Sequence, residues 1–261
     1  MPKTQEIKVV KSLKTFGGAI KQVRHWSECN QCYMNFQIFV PEDDVPRQRG
    51  EAFSVIYMLA GLTCDYTNAV DKSGYGMAAG HHKVAIVFPD TSPRDVELPE
   101  KIDNYRVGFG AGHYCNATAD GWSKHFNMYT YITKELPAIV EKFFHVSPTN
   151  KSIMGSSMGG NGALNIAARN PGMFKSVSAF SPIGNSSKPE SGFCALPMKT
   201  YFANKPDEAK LYDCSESILA AKEMPPGLVD QGTHDDFLSD LGCDELQAAI
   251  GKSGHKIKYR W

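Results

Sequence analysis

The chain lacks a surplus of charge of either sign: 28 Lys and Arg stand against 28 Asp and Glu in 261 residues. It therefore has no one-signed field with which to hold nucleic acid or an anionic membrane, and a small-molecule substrate of modest charge is expected. Long apolar runs are missing as well. No stretch approaches the roughly 18 residues of a membrane span, and the opening Met1-Pro2-Lys3-Thr4-Gln5-Glu6 carries no apolar signal region, so the expectation is a cytoplasmic protein. Cysteine is present but unpatterned. Cys29, Cys32, Cys64, Cys115, Cys194, Cys214 and Cys243 form an odd set without framework spacing, which fits reduced thiols better than a disulfide scaffold. Cys29-Asn30-Gln31-Cys32 is a lone CxxC without the second ligand pair a zinc site needs, so no metal is expected. Repeats, low-complexity tracts and linkers are also absent, and the length and 42% hydrophobic content suit a single domain over residues 1–261.

What is there is an alternation of short apolar or β-branched runs with helical stretches, the pattern of a mostly parallel sheet with helices on both faces. Residues 19–26 and 35–40 read as an N-terminal antiparallel hairpin at one edge, turning at Glu28-Cys29-Asn30-Gln31. Residues 54–59 and 84–88 read as buried strands. A helical pattern over 122–144, interrupted by Pro137, leads to a strand at 151–154, and a second helical pattern covers 160–169. Strands at 176–180 and 227–230, a helix over 244–252 and a last strand from Lys256 complete the order.

Gly155-Ser156-Ser157-Met158-Gly159 matches GxSxG, a pattern that chance supplies about 0.15 times in a chain of this composition. Context decides its meaning. Here it follows a buried strand and opens a helix, the setting in which a nucleophilic serine stands on a sharp turn above the sheet of an α/β-hydrolase fold. Gly155 and Gly159 leave room for that turn, and the helix N-terminus faces the negative charge that develops in acyl transfer. The Met158 N–H is then one oxyanion donor. A second is expected from the loop after the strand at 54–59, with the Leu62 N–H as candidate. The acid should lie after a later strand. The loop Gln231-Gly232-Thr233-His234-Asp235-Asp236-Phe237 offers both Asp235 and Asp236.

Further segments match one family in order: Phe16-Gly17-Gly18, Leu59 to Cys64, Lys72-Ser73-Gly74-Tyr75, Pro89-Asp90-Thr91-Ser92-Pro93-Arg94, Gly110-Ala111-Gly112, Ser157-Met158-Gly159-Gly160 and Ser176 to Pro182. With these the chain resembles the S-formylglutathione hydrolases, also called esterase D, from about Phe16 onward. The resemblance implies a serine thioesterase that uses no cofactor and splits a glutathione thioester into glutathione and formate in formaldehyde detoxification. It puts the nucleophile on Ser157, the oxyanion donors on Leu62 and Met158, and the acid on Asp235, through a Gly-x-x-Asp-x-Phe pattern spanning Gly232 to Phe237. It also implies a thiol near the nucleophile at Cys64, and a homodimer. Ser156 stands where the family usually has His, and Asp95 where it has Gly.

The triad histidine is the larger departure. The family carries it in a Gly-Tyr-Asp-His-Ser loop after the last strand, whereas the sequence stops at Trp261 within that strand. The resemblance thus implies a last strand cut short and a closing helix absent, leaving apolar sheet surface uncovered. Of the eight histidines, His255 falls at the far edge of the sheet, His234 adjoins the acid, and His113 could line the pocket. Three readings stay open: a thioester hydrolase cut before its histidine, a non-catalytic relative that lacks the base, and a general carboxylesterase or acyltransferase on the same fold.

Overall fold

The computed structural model describes residues 6–42 and 52–261. Residues 1–5, read above for a signal region, lie outside them. Nine strands form one sheet in the described residues: β1 (Ile7–Thr15), β2 (Gly18–Ser27), β3 (Cys32–Pro41), β4 (Phe53–Leu59), β5 (Ala85–Pro89), β6 (Val146–Ser156), β7 (Val177–Phe180), β8 (Gly227–Asp230) and β9 (Ile257–Arg260). Their spatial order is β1-β2-β3-β5-β4-β6-β7-β8-β9. From β5 across to β9 every pairing is parallel, and β1, β2 and β3 join antiparallel. The expected hairpin is β2 and β3. A further strand, β1, lies outside it and forms the true edge.

Two-residue alternation along the central strands feeds two cores. Phe53, Val55, Tyr57 and Leu59 of β4 enter the larger one, while Met58, with Ile86 and Phe88 of β5, enters a smaller one on the opposite face. The smaller face carries α1 (Asn68–Lys72) and α2 (Gly76–His82). The larger face carries the remaining helices. There α3 (Met128–Thr130) passes through a π-helical turn at Tyr131–Glu135 into α4 (Leu136–Phe143), so the helix expected from residue 122 begins six residues later. It is followed by α5 (Met158–Arg169), α6 (Ala195–Tyr201), α7 (Cys214–Ala220) and α8 (Cys243–Ser253). Every residue of α5 except Arg169 is buried, which makes it the central helix of that face.

On the α1 and α2 side, Ile56, Met58, Ile86 and Met154 line an apolar groove of about 690 Å³ that runs to Gly61, Cys64 and Ser156. No helix among the described residues is long and apolar enough to cross a membrane.

Candidate active site

Strands β4 and β6 are parallel neighbours with Met58 opposite Met154 and Leu59 opposite Gly155, so the loops that leave them emerge side by side at one sheet edge. At the end of β6, Ser157 turns the chain into α5 with φ 53° and ψ −118°. A residue with a side chain adopts such a backbone at a cost of about 1–3 kcal/mol and keeps it only where its surroundings enforce it. They do so here. The Ser157 N–H donates to the Phe180 carbonyl at 2.9 Å, and the Ser157 carbonyl accepts from the Asn161 N–H at 3.1 Å and the Ile183 N–H at 3.4 Å. A Cβ on Gly155 would lie 2.3 Å from the Gly159 carbonyl oxygen, and one on Gly159 would lie 2.2 Å from that of Leu59. Glycine is therefore obligatory at both ends of the turn, as the sequence reading expected.

Met158 is the first residue of α5, and its N–H belongs to the first turn, which has no carbonyl four residues back. The loop after β4 lies against Ser157: a Cβ on Gly61 would stand 3.4 Å from Ser157 Cβ. Leu62 follows directly. The loop is tied down at several points. Tyr114 Oη donates to the Ala60 carbonyl at 2.9 Å, the Thr63 N–H donates to the Gly110 carbonyl at 2.9 Å, and Thr63 itself has a φ of 66°. Cys64 closes the loop half-buried at the mouth of the apolar groove.

The acid loop stands two strands away. Ser181, next to the Phe180 that receives the Ser157 N–H, donates its own N–H to the Asp230 carbonyl at 2.8 Å. Gln231 Nε2 then donates to Asp235 Oδ2 at 3.2 Å and lies 3.5 Å from Ser181 Oγ. Asp235 Oδ1 accepts the Phe237 N–H at 3.0 Å. Asp235 is half-buried and Asp236 exposed, so the local geometry separates two acids that composition and spacing left equal. Tyr114 had no signal in the sequence, because it acts on Ala60, 54 positions away and reached only through the fold; Gln231 lies in the loop already singled out, four residues before Asp235, without a role assigned to it.

None of the eight histidine rings is hydrogen-bonded to Ser157 or Asp235. His113, expected as a pocket residue, is instead a core group. It is 1% exposed, with Nε2 3.1 Å from the Arg106 carbonyl and Nδ1 3.8 Å from Cys194 Sγ, and burial pushes its pKa down to about 4. His25 is also held below its ordinary value by burial, and stacks on Tyr131. His125 meets the Asn30 carbonyl, His234 the Thr233 hydroxyl and His255 the Ala221 carbonyl. His81 and His82 contact each other at the exposed end of α2, and His145 precedes β6 at the opposite edge of the sheet.

The CxxC lies at the β2–β3 turn. There Cys29 Sγ donates to Glu135 Oε2 at 2.7 Å, and burial raises its thiol far above the ordinary range. Burial likewise pushes Cys32 up to about 12, so neither sulfur is activated as a thiolate.

The parallel sheet, the strained serine between β6 and α5 and a later acid loop define a serine hydrolase of the α/β-hydrolase fold. The Esterase family model matches residues 27–259. The S-formylglutathione hydrolases of Bos taurus and Mus musculus are each 39% identical to the chain, covering 97% of it and 89% of their own lengths. A solved S-formylglutathione hydrolase from Agrobacterium tumefaciens superposes with a TM-score of 0.90 at 33% identity, over 97% of this chain and 90% of that one. The chain belongs to the S-formylglutathione hydrolase family of esterases.

Proposed function

We propose that this protein hydrolyses S-formylglutathione to glutathione and formate, with Ser157 as nucleophile, the N–H groups of Leu62 and Met158 as oxyanion donors, and Asp235 as the acid. The observation that carries this reading is the enforced backbone of Ser157 at the head of α5 with the Gly61 loop against it. Ser157 Oγ attacks the formyl carbonyl, whose oxygen takes up negative charge where the two N–H groups converge. The C–S bond breaks and its electron pair leaves with glutathione as thiolate, while the formyl group becomes an ester on Ser157. Water then attacks that ester, formate departs and Ser157 Oγ regains a proton.

A thioester suits this site. A thiol of pKa about 8.5 leaves as its anion near neutral pH, so acylation needs a base only for the serine proton. Asp235 would orient and balance the charge of that base. A base takes the Ser157 proton in this step, and imidazole is a small molecule able to supply one.

The test is hydrolysis of S-formylglutathione and of p-nitrophenyl acetate, with and without added imidazole. The expected result is a higher kcat/KM for the thioester and a dose-dependent gain with imidazole. Equal rates on both substrates would favour a general carboxylesterase. No turnover and no response to imidazole would favour a non-catalytic relative. The proposed unit is a single domain over 1–261, acting in the cytoplasm as a homodimer without metal or cofactor.

A further inference from the structure

The oxyanion loop is gripped from outside by one short segment, Asp90 to Arg94, that follows β5. Thr91 Oγ1 donates to the Cys64 carbonyl, and Arg94 Nη2 donates to the same oxygen at 2.8 Å. Ser92 Oγ accepts the Gly110 N–H at 2.8 Å, and Gly110 in turn receives the Thr63 N–H. Two side chains of the five residues thus meet the loop that carries the Leu62 N–H, and a third reaches it through Gly110. Arg94 is itself fixed. Its Nε lies 3.0 Å from both carboxylate oxygens of Asp90, which also accepts the Thr91 N–H at 2.7 Å. Asp90 is 1% exposed, and its N–H is anchored on β3 through the Asn35 carbonyl at 3.2 Å.

A buried carboxylate is an expensive anchor. Burial raises the Asp90 pKa to about 6 even with Arg94 beside it, so the carboxylate persists at neutral pH but is less favoured than a solvated one. A loop that needed only to be closed could be closed by apolar contacts. What a charged, forked donor adds is direction, because a guanidinium can bond a carboxylate and a carbonyl at once in a fixed plane. Cys64 is two residues from Leu62, so an error in the Cys64 carbonyl is passed directly to the donor N–H.

We propose that Asp90 and Arg94 are positioning residues for the reaction, holding the Cys64 carbonyl so that the Leu62 N–H points at the oxyanion. The inference rests on the reading of Leu62 as a donor. A displacement of about 1 Å at such a donor costs up to about 100-fold in rate.

Arg94→Ala, Arg94→Lys and Thr91→Val are compared with the parent for kcat and KM. Amide hydrogen exchange is followed over residues 61–64 and, as a control, over the first turn of α5. Arg94→Ala is expected to lower kcat 10- to 100-fold with KM within about twofold. Arg94→Lys should recover part of the loss, and Thr91→Val should lose less than Arg94→Ala. Exchange at 61–64 should quicken about tenfold in Arg94→Ala while α5 is unchanged. A parent without turnover would remove the proposed activity, yet the exchange result would still decide whether Arg94 holds the loop. Unchanged exchange at 61–64, or a loss of kcat matched by an equal loss of folded protein, would overturn the proposal.

Discussion

The elbow and the acid loop share one sheet edge and are held in opposite ways. Around Ser157 the chain is locked by backbone: two glycines admit no side chain, three main-chain hydrogen bonds pin the strained residue, and α5 behind it is buried along nearly its whole length. Around Asp235 the chain is held by two hydrogen bonds to its carboxylate and one main-chain bond, the Leu238 N–H on the Asp235 carbonyl at 3.1 Å, and a Cβ on Gly232 would meet nothing within 4 Å. The difference fits the roles proposed for each half. Backbone N–H groups that stabilise an oxyanion cannot be re-aimed once the reaction starts, so their frame must be rigid. An acid that orients a base has a rotatable carboxylate and tolerates a looser mount.

The largest expected effect tests the rigid half. Ser157→Ala should abolish turnover and covalent labelling by a fluorophosphonate, a loss of about 10⁶-fold where the parent is fully active, with little change in thermal midpoint. Asp235→Asn should cost about 10² to 10⁴ in kcat while Asp236→Asn stays within twofold; equal effects would undo the choice of acid. Gly159→Ala should destabilise by more than about 3 kcal/mol or prevent folding, because the new methyl meets a backbone carbonyl that cannot move aside. Gly232→Ala, in the acid loop, should change stability by less than about 0.5 kcal/mol, and a large loss there would erase the contrast between the two halves.

A pH titration sharpens the comparison on the elbow side. His113 is buried as the neutral ring with a pKa near 4 against an ordinary 6.5, so between those values the unfolded chain binds the proton and the folded one does not. Stability from this group is complete above pH 6.5 and is lost as pH falls toward 4, by about 3 kcal/mol. Asp90 acts with the opposite sign. Its raised pKa makes the fold gain stability as pH falls from about 6 toward the ordinary carboxylate value. Denaturant melts of the parent and His113→Gln at pH 7.5 and 4.5 should show a smaller acid loss in the variant.

Much of the architecture was legible because its signals are local. The central strands are apolar runs five to seven residues long, and the elbow obeys a steric rule contained in five positions. Strand β1 escaped because its residues Lys8 to Lys14 are exposed; it exists through its ladder to β2, not through burial, and Lys8, Lys11 and Lys14 protect its free edge. Helices α1, α2, α6 and α7 are five to seven residues long, too short for a helical period to declare itself. The contacts that tune the site are further from reach. Tyr114 meets Ala60 across 54 positions and Arg94 meets Cys64 across 30, and no periodicity marks either pair.

The sequence by itself determined the fold class, the position of the candidate nucleophile and the family, since each depends on neighbouring residues or on segments matched in order. The family resemblance had already pointed to Asp235; only the tertiary structure decided that Asp235 is half-buried where Asp236 is exposed, that His113 is a core group, and that Arg94, paired with Asp90, meets the Cys64 carbonyl. These are distances between segments far apart in the chain, and they come into being only when β4, β5, β6 and β8 are laid side by side and the loops that leave them meet at one edge.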